Sequence, residues 1–324
     1  MSEPLPVVSF VIPVRNDAQR LGRCLQTIHA NAYPPRQLEI IVADNGSTDD
    51  STEVAARAGA TILHLPGYRV GELRNRAAAA ARGQILAFVD ADHEIDPFWV
   101  PSAVETLQDG SIAAVGALCD PPSDGTWVQR TYGALRGQVA GRHDVEWLGS
   151  GNLVVRKTAF DMHGGFDVTL ETCEDVDLCQ RLRKSGLRIV SDDRLRSVHL
   201  GDPATLGALF RGELWRGRDN LRASLRGPVT LRALPSILIP IAELALVAAV
   251  GVGLLLSPAV GLLPTLTALI LLMLLIGLRA VRIVLGLQVR RFTHIAQAVA
   301  VAGVYDLARA FALVTRVTHR ARAA

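Results

Sequence analysis

The chain predicts an α/β protein: a doubly wound, mostly parallel sheet of the nucleotide-binding kind, followed by carboxyl-terminal transmembrane helices. Three observations predict it. Short continuous apolar runs alternate with helical patterns through the first ninety or so residues. Two apolar stretches, residues 237–256 and 259–278, are long enough to cross a bilayer. Six arginines (Arg211, Arg216, Arg218, Arg222, Arg226 and Arg232) gather just before the first of them against two acids.

The elements follow in order. "VVSFVIPV" reads as a buried strand. In "NDAQRLGRCLQTIHAN" the residues Leu21, Cys24, Leu25 and Ile28 recur at helical spacing, with Asn16 or Asp17 as the cap. "LEIIVA" is a second strand, and "DNGSTDDSTEVAARAG" breaks into a turn and a helix with hydroxyl and acid caps. "ATILHL" is a third strand. "VGELRNRAAAAARG" is an alanine-rich helix ended by a glycine, and "QILAFV" is the fourth strand. In such a sheet, ligands belong at the carboxyl ends of the strands.

Composition narrows the partners. The 324 residues are 49% hydrophobic, with a net charge of +3 and a positive mean hydropathy. That excess is too apolar for a purely soluble enzyme, and it is concentrated after residue 232. The arginine collar suits a membrane or anionic surface; few aromatics are interleaved for stacking on nucleic-acid bases. Cys24, Cys119, Cys173 and Cys179 show neither a CxxC pair nor zinc spacing, so they read as reduced packing residues in a cytosolic domain. No signal-peptide pattern precedes Val7, which keeps the amino-terminal domain inside.

"AFVDADHEI" leaves the fourth strand straight into acids. Asp90 and Asp92 alternate around one alanine, so a turn aims both at one volume. Their repulsion is relieved by a divalent cation with hard oxygen preference, Mg2+ or Mn2+. For a lone pair of this kind a solvated acidic turn is the alternative, and His93 and Glu94 read as turn residues.

The ordered set "VSFVIPVRNDAQRLGRCLQTI", "IIVADNGSTDDS", "LRNRAAAAARGQILAFVDADHEI", "GNLVVRKTAFDMHGGFD" and "CEDVDLCQRLRKSGLRI" resembles the landmarks of inverting family-2 glycosyltransferases of the GT-A fold over about residues 7–200. The resemblance implies a catalytic domain over residues 1–232. It implies transfer of a sugar from a nucleotide-diphosphate sugar donor with a bound Mn2+ or Mg2+. Residue by residue, it implies that Asp44 contacts the nucleobase beside Pro13 and Arg15, that Arg74 approaches the nucleotide, with a salt bridge on a helix face as the alternative, that Asp90 reaches the ribose or sugar, and that Asp92 binds metal. His199 matches a metal-completing histidine, with a structural role as the alternative. Asp175 matches the base that takes the acceptor's proton; a helix amino terminus favours its ionised form. Glu174 matches a hydrogen-bonding partner of acceptor or donor, Glu174 and Asp177 are candidate bases by type, and plain helix-start charge is the alternative for all three acids. Gly149, Ser150, Gly151 and Asn152 form a small-residue loop that lets backbone approach a sugar, or a tight turn.

One motif departs from the family. Processive members carry QxxRW, whereas "FRGELWRGR" keeps Trp215 but has Arg211 for the glutamine and Leu214 for the arginine. A polymer-extruding role is therefore disfavoured. Trp215 stacks on a sugar ring or sits at a membrane interface.

Residues 233–324 read as a membrane domain. Its two spans form a hairpin around Ser257–Pro258, with both ends cytoplasmic by the arginines before it and by Arg279, Arg282, Arg290 and Arg291 after it. Glu243 should face protein or the interface. The segment 294–317 holds Asp306 and Arg309, and reads either as a third span or as an interfacial helix. Spans of this kind imply a lipid or lipid-linked acceptor. A nucleotidyltransferase or a non-catalytic scaffold on the same sheet is the alternative.

Overall fold

The computed structural model describes residues 5–137, 139–226, 231, 234–287 and 291–315. Arg232, Arg290 and residues 316–324 lie outside the described residues. The described chain forms two compact units: Met1–Pro122 with Val139–Gly201, and Ser123–Gln138 with Asp202–Ala324.

The first unit begins as the sequence predicts: β1 (Val8–Val14), α1 (Ala18–His29), β2 (Leu38–Asp44), α2 (Ser51–Arg57), β3 (Thr61–His64), α3 (Val70–Ala80) and β4 (Ile85–Val89). It continues with β5 (His93–Ile95), α4 (Trp99–Thr106) and β6 (Ile112–Gly116). The second unit then takes α5 (Trp127–Arg136). The first unit is completed by β7 (Arg142–Asp144), β8 (Asn152–Arg156), α6 (Lys157–Met162), α7 (Glu174–Lys184), β9 (Arg188–Asp192) and β10 (Ser197–His199).

The main sheet has the order β3-β2-β1-β4-β8-β6-β9-β7, and β5 pairs with β10 in a separate ribbon. Strands β1 to β4 are mutually parallel, whereas β8 runs antiparallel between β4 and β6. Side-chain alternation divides the core. Phe10, Ile12, Ala87 and Val89 face a layer with Leu21, Leu25 and Trp99. Val11, Leu86 and Phe88 face the layer of Leu73, Phe160, Phe166 and Leu178.

Two local expectations change. The first amide of α1, Ala18 N–H, donates to Asp49 at 2.9 Å, and neither Asn16 nor Asp17 caps the helix with its side chain. Asp17 instead accepts from Arg20 at 2.8 Å. Likewise α3 ends at Ala80, before its expected glycine stop. Gly83 is needed for close approach: a Cβ there would lie 2.5 Å from Ser9 Oγ and 2.7 Å from the Val7 carbonyl.

In the second unit, α8 (Leu206–Arg216) and α9 (Asn220–Arg226) precede α10 (Leu234–Val260), α11 (Leu263–Gly286) and α12 (Phe292–Ala312). The last three are long and apolar enough to cross a membrane. The two units divide at Gly201, before residue 232, because α8 packs on α12; amphipathic α5 joins the same unit. Its Val128 and Tyr132 pack with Leu209, Leu272, Ile276, Val301 and Ala302.

The hairpin turn also moves. Ser257 and Pro258 lie inside α10, and Gly261, at φ +76°, makes the turn, so the second helix begins at Leu263. Proline removes the N–H that would bond the Leu254 carbonyl. Ser257 Oγ donates to that carbonyl at 2.9 Å, which lets the helix continue. Gly253 lets the hairpin close, since a Cβ would stand 2.3 Å from Thr265 Oγ1.

Buried charges tie this unit together. Glu243 is fully buried, as expected of an acid facing protein. Asp306 pairs with Arg279, and Arg309 Nε donates to Glu213 at 2.8 Å. Glu213 also accepts from Tyr132 Oη at 2.7 Å and from Arg216 at 3.0 Å. Of the two readings of 294–317, its length and composition permit a span, while Asp306 and Arg309 both find protein partners.

Candidate active site

Strand register delivers the acids. At the carboxyl end of β4, Asp90 and Asp92 flank the buried Ala91, and the chain turns directly into β5. The ribbon pairs His199 of β10 with His93 of β5 in antiparallel register. His199 Nε2 lies 3.2 Å from Asp92 Oδ2. Burial alone would push the Asp92 carboxyl up. The hydrogen bond to His199 and the charges of His199, His93 and Arg20 outweigh it and hold that carboxyl well below the usual carboxylate range. Arg20 stands 3.8 Å away.

His93 and Glu94 are not turn residues: both belong to β5. Glu94 accepts from Arg23 at 2.6 Å. His93 is buried, with Nδ1 3.4 Å from Ser197 Oγ and 3.8 Å from Cys119 Sγ. One ligand atom from each of Asp92, His93 and His199 lies within 4.8 Å of the others, so the site's donors fit a divalent cation. The missed signal was alternation: "HEI" has the strand period, with its first and third residues facing inward.

Two glycines keep this volume open. A Cβ at Gly201 would fall 1.9 Å from Asp92 Oδ2 and 3.0 Å from His199 Nε2. At Gly151 it would fall 2.7 Å from Asp90 Oδ2 and 3.1 Å from His93 Nε2. The loop 149–152 thus lies against the acids. Ser150 N–H donates to Asp175 Oδ2 at 3.1 Å. Asn152 is structural: it accepts from Trp99 Nε1 and donates to the carbonyls of Ala117 and Leu195.

Arg74 is buried, and both ends of its guanidinium are committed. One nitrogen donates to Asp90 Oδ1 and the other to Glu174 Oε1, each at 2.7 Å. It therefore joins the β4 acids to the amino terminus of α7. Neighbouring Asn75, which the sequence reading passed over, grips the backbone of Phe166: Nδ2 donates to its carbonyl at 2.8 Å, and its N–H donates back to Oδ1 at 2.9 Å. Phe166 packs edge-on against Phe88 and lies 5.8 Å beneath the Arg74 guanidinium.

Glu174 and Asp175 open α7 after Cys173, whose φ of +62° is left-handed. Burial and the neighbouring Asp175 charge push Glu174 up to about 7 against the pull of Arg74. Burial also raises Asp175, opposed by the N–H groups of Ser150 and Val176 and by Arg74. The helix terminus is thus not the whole account of Asp175: desolvation works against it, and a base raised this way takes a proton more readily. Asp177 is held by Arg181 at 2.8 Å.

Asp44 ends β2 nearly inaccessible, its Oδ1 accepting Ser47 N–H at 3.0 Å and its Oδ2 3.4 Å from His64 Nδ1. Pro13 is half-buried in β1, opposite Ala43, and Arg15 is exposed just beyond it. Trp215 is partly exposed on α8 of the second unit. All four cysteines are free thiols.

Known proteins resemble this chain in sequence and in fold. Residues 9–161 match the family model "Glycosyl transferase family 2". Glycosyltransferase AglE of Haloferax volcanii is 26% identical over 244 residues, covering 72% of this chain and 79% of that one. Pre-mycofactocin glycosyltransferase of Mycobacterium tuberculosis is 32% identical over 195 residues, 56% of this chain, and the match spans only 40% of that relative. Among solved structures, the mannosyltransferase PcManGT from Pyrobaculum calidifontis aligns with a TM-score of 0.62 at 18% identity, covering 94% of this chain and 89% of that one. Residues 9–161 thus resemble the family-2 glycosyltransferases in sequence, and the sheet that carries them has the fold of PcManGT.

Proposed function

We propose that this chain is a metal-dependent inverting transferase. It moves a sugar from a nucleoside-diphosphate donor to a lipid or lipid-linked acceptor at the cytoplasmic membrane face. The observation that carries the reading is the joining of two acid pairs through one buried arginine: Asp90 beside Asp92 at the end of β4, and Glu174 beside Asp175 at the start of α7. PcManGT, of the same fold, was solved with GDP-Man and Mn2+, which supports a nucleotide-sugar donor and a divalent ion here.

Asp92 and His199 would hold the ion, which when bound supplies positive charge to the departing diphosphate. Asp90, fixed by Arg74, faces the ribose or the sugar. Asp44 accepts from the nucleobase beside Pro13 and Arg15. Asp175 takes the acceptor hydroxyl proton as that oxygen bonds the anomeric carbon, and the bond from that carbon to the diphosphate oxygen breaks on the opposite face. The N–H groups of Ser150 and Val176 hold Asp175, and Glu174 hydrogen-bonds the acceptor or the donor sugar. The membrane acceptor rests on the three apolar helices, and the cytoplasmic face on the arginines flanking the first two.

The test is donor binding by calorimetry on the full chain, using UDP-, GDP- and dTDP-sugars with and without Mn2+, repeated on Asp92→Ala. Metal-dependent binding of one donor, lost in the variant, supports the reading. Product analysis with lipid extracts should then show nucleoside diphosphate; release of pyrophosphate would indicate nucleotidyl transfer and overturn it.

A further inference from the structure

We propose that His93 is a third protein ligand, completing a set of two imidazoles and one carboxylate with His199 and Asp92. This set selects a first-row transition ion such as Mn2+ or Co2+ over Mg2+. The inference deepens the proposed function, on which it rests for the ion's role in the reaction.

The ribbon supplies the placement. Residues directly opposite in an antiparallel pair project to the same face, and His93 and His199 are such a pair, with ring centroids 4.6 Å apart. Two adjacent ligands at about 2.1 Å from an ion stand about 3 Å apart, and opposed ligands about 4.2 Å. The 3.2 Å separation of His199 Nε2 and Asp92 Oδ2 fits an adjacent pair. Ligand atoms of all three residues lie within 4.8 Å, so small rotations close the set.

The far side of His93 supports the role. With its proton on Nδ1, the ring donates toward Ser197 Oγ at 3.4 Å, as ligating histidines use their second nitrogen, and the lone pair then lies on Nε2. That nitrogen faces the Asp90 side of the cleft, where Gly151 leaves room. Mg2+ prefers oxygen ligands and retains water, whereas imidazole nitrogen suits the transition ions.

The experiment uses the full chain in detergent with Mn2+ alone, then with GDP or UDP added. Free Mn2+ is counted by electron paramagnetic resonance, and coupled imidazole nitrogens by its pulsed form. Two coupled nitrogens are expected, with Mg2+ a poor competitor. His93→Gln should show one nitrogen and bind Mn2+ about 10- to 100-fold more weakly. A single nitrogen in the unaltered protein, unchanged Mn2+ affinity in His93→Gln, equal competition by Mg2+, or no Mn2+ binding under any of these conditions would overturn the proposal. Two nitrogens in a protein that binds no sugar nucleotide would leave this inference standing and remove the transfer reading.

Discussion

Replacing Arg74 with methionine tests how the two acid pairs are held. The side chain is almost fully buried, and it donates at 2.7 Å to Asp90 and to Glu174, whose own side chain is 8% exposed. Methionine keeps much of the volume and removes the charge. Breaking a buried pair from one side costs about 3–5 kcal/mol when the remaining charge cannot neutralise. Glu174 can neutralise, because its folded pKa is already about 7 and loses the downward pull of Arg74 in the variant. Between its unfolded value and this raised folded value, the folded state holds the proton and the unfolded state does not. The proton's stabilising contribution is therefore complete below the unfolded value and is lost as pH rises through the folded one. The variant should be only mildly destabilised at pH 6 and should lose about 3 kcal/mol at pH 8.5, which lowers the unfolding midpoint by roughly 6–12 °C. Tryptophan fluorescence melts of the full chain at both pH values measure this. Equal midpoint shifts at the two pH values, or none, would refute the account of Arg74 as the counter-charge of Glu174.

Asp175→Asn should cut transfer by roughly 10²–10⁴-fold while leaving donor affinity unchanged, as measured by turnover and calorimetry. Gly201→Ala should abolish Mn2+ binding without unfolding the protein, since its Cβ would occupy the space beside Asp92 Oδ2; a titration followed by paramagnetic resonance shows it. Glu213→Ala leaves Arg216 and Arg309 without their buried partner and should destabilise the second unit by about 3–5 kcal/mol, read as a lower melting midpoint in detergent.

The chemistry that depends on neighbours along the chain was legible. Asp90 and Asp92 could be placed at a strand exit because "QILAFV" is a buried run, and Asp175 was singled out by the resemblance of "CEDVDLCQRLRKSGLRI". The four parallel strands followed in the same way, from runs and breaks within a few residues. His93 was misjudged because its role comes from a partner 106 positions away, in register across the ribbon. Nothing local shows that Glu174, 100 residues after Arg74, takes one of its guanidinium nitrogens.

Sequence alone thus determined the first four strands, the helices between them, the apolar spans, and the acids at the exit of the fourth strand, since backbone periodicity and transfer from water act locally. Tertiary structure alone decided the pairings. These include the antiparallel β8 inside the sheet, the joining of β5 to β10, the recruitment of α5 by the apolar helices, and the matching of Glu213 with Arg309. The physical reason is that a buried charge or an unpaired strand edge takes whichever partner the closed chain brings within about 3 Å, and that distance is not written in spacing along the sequence.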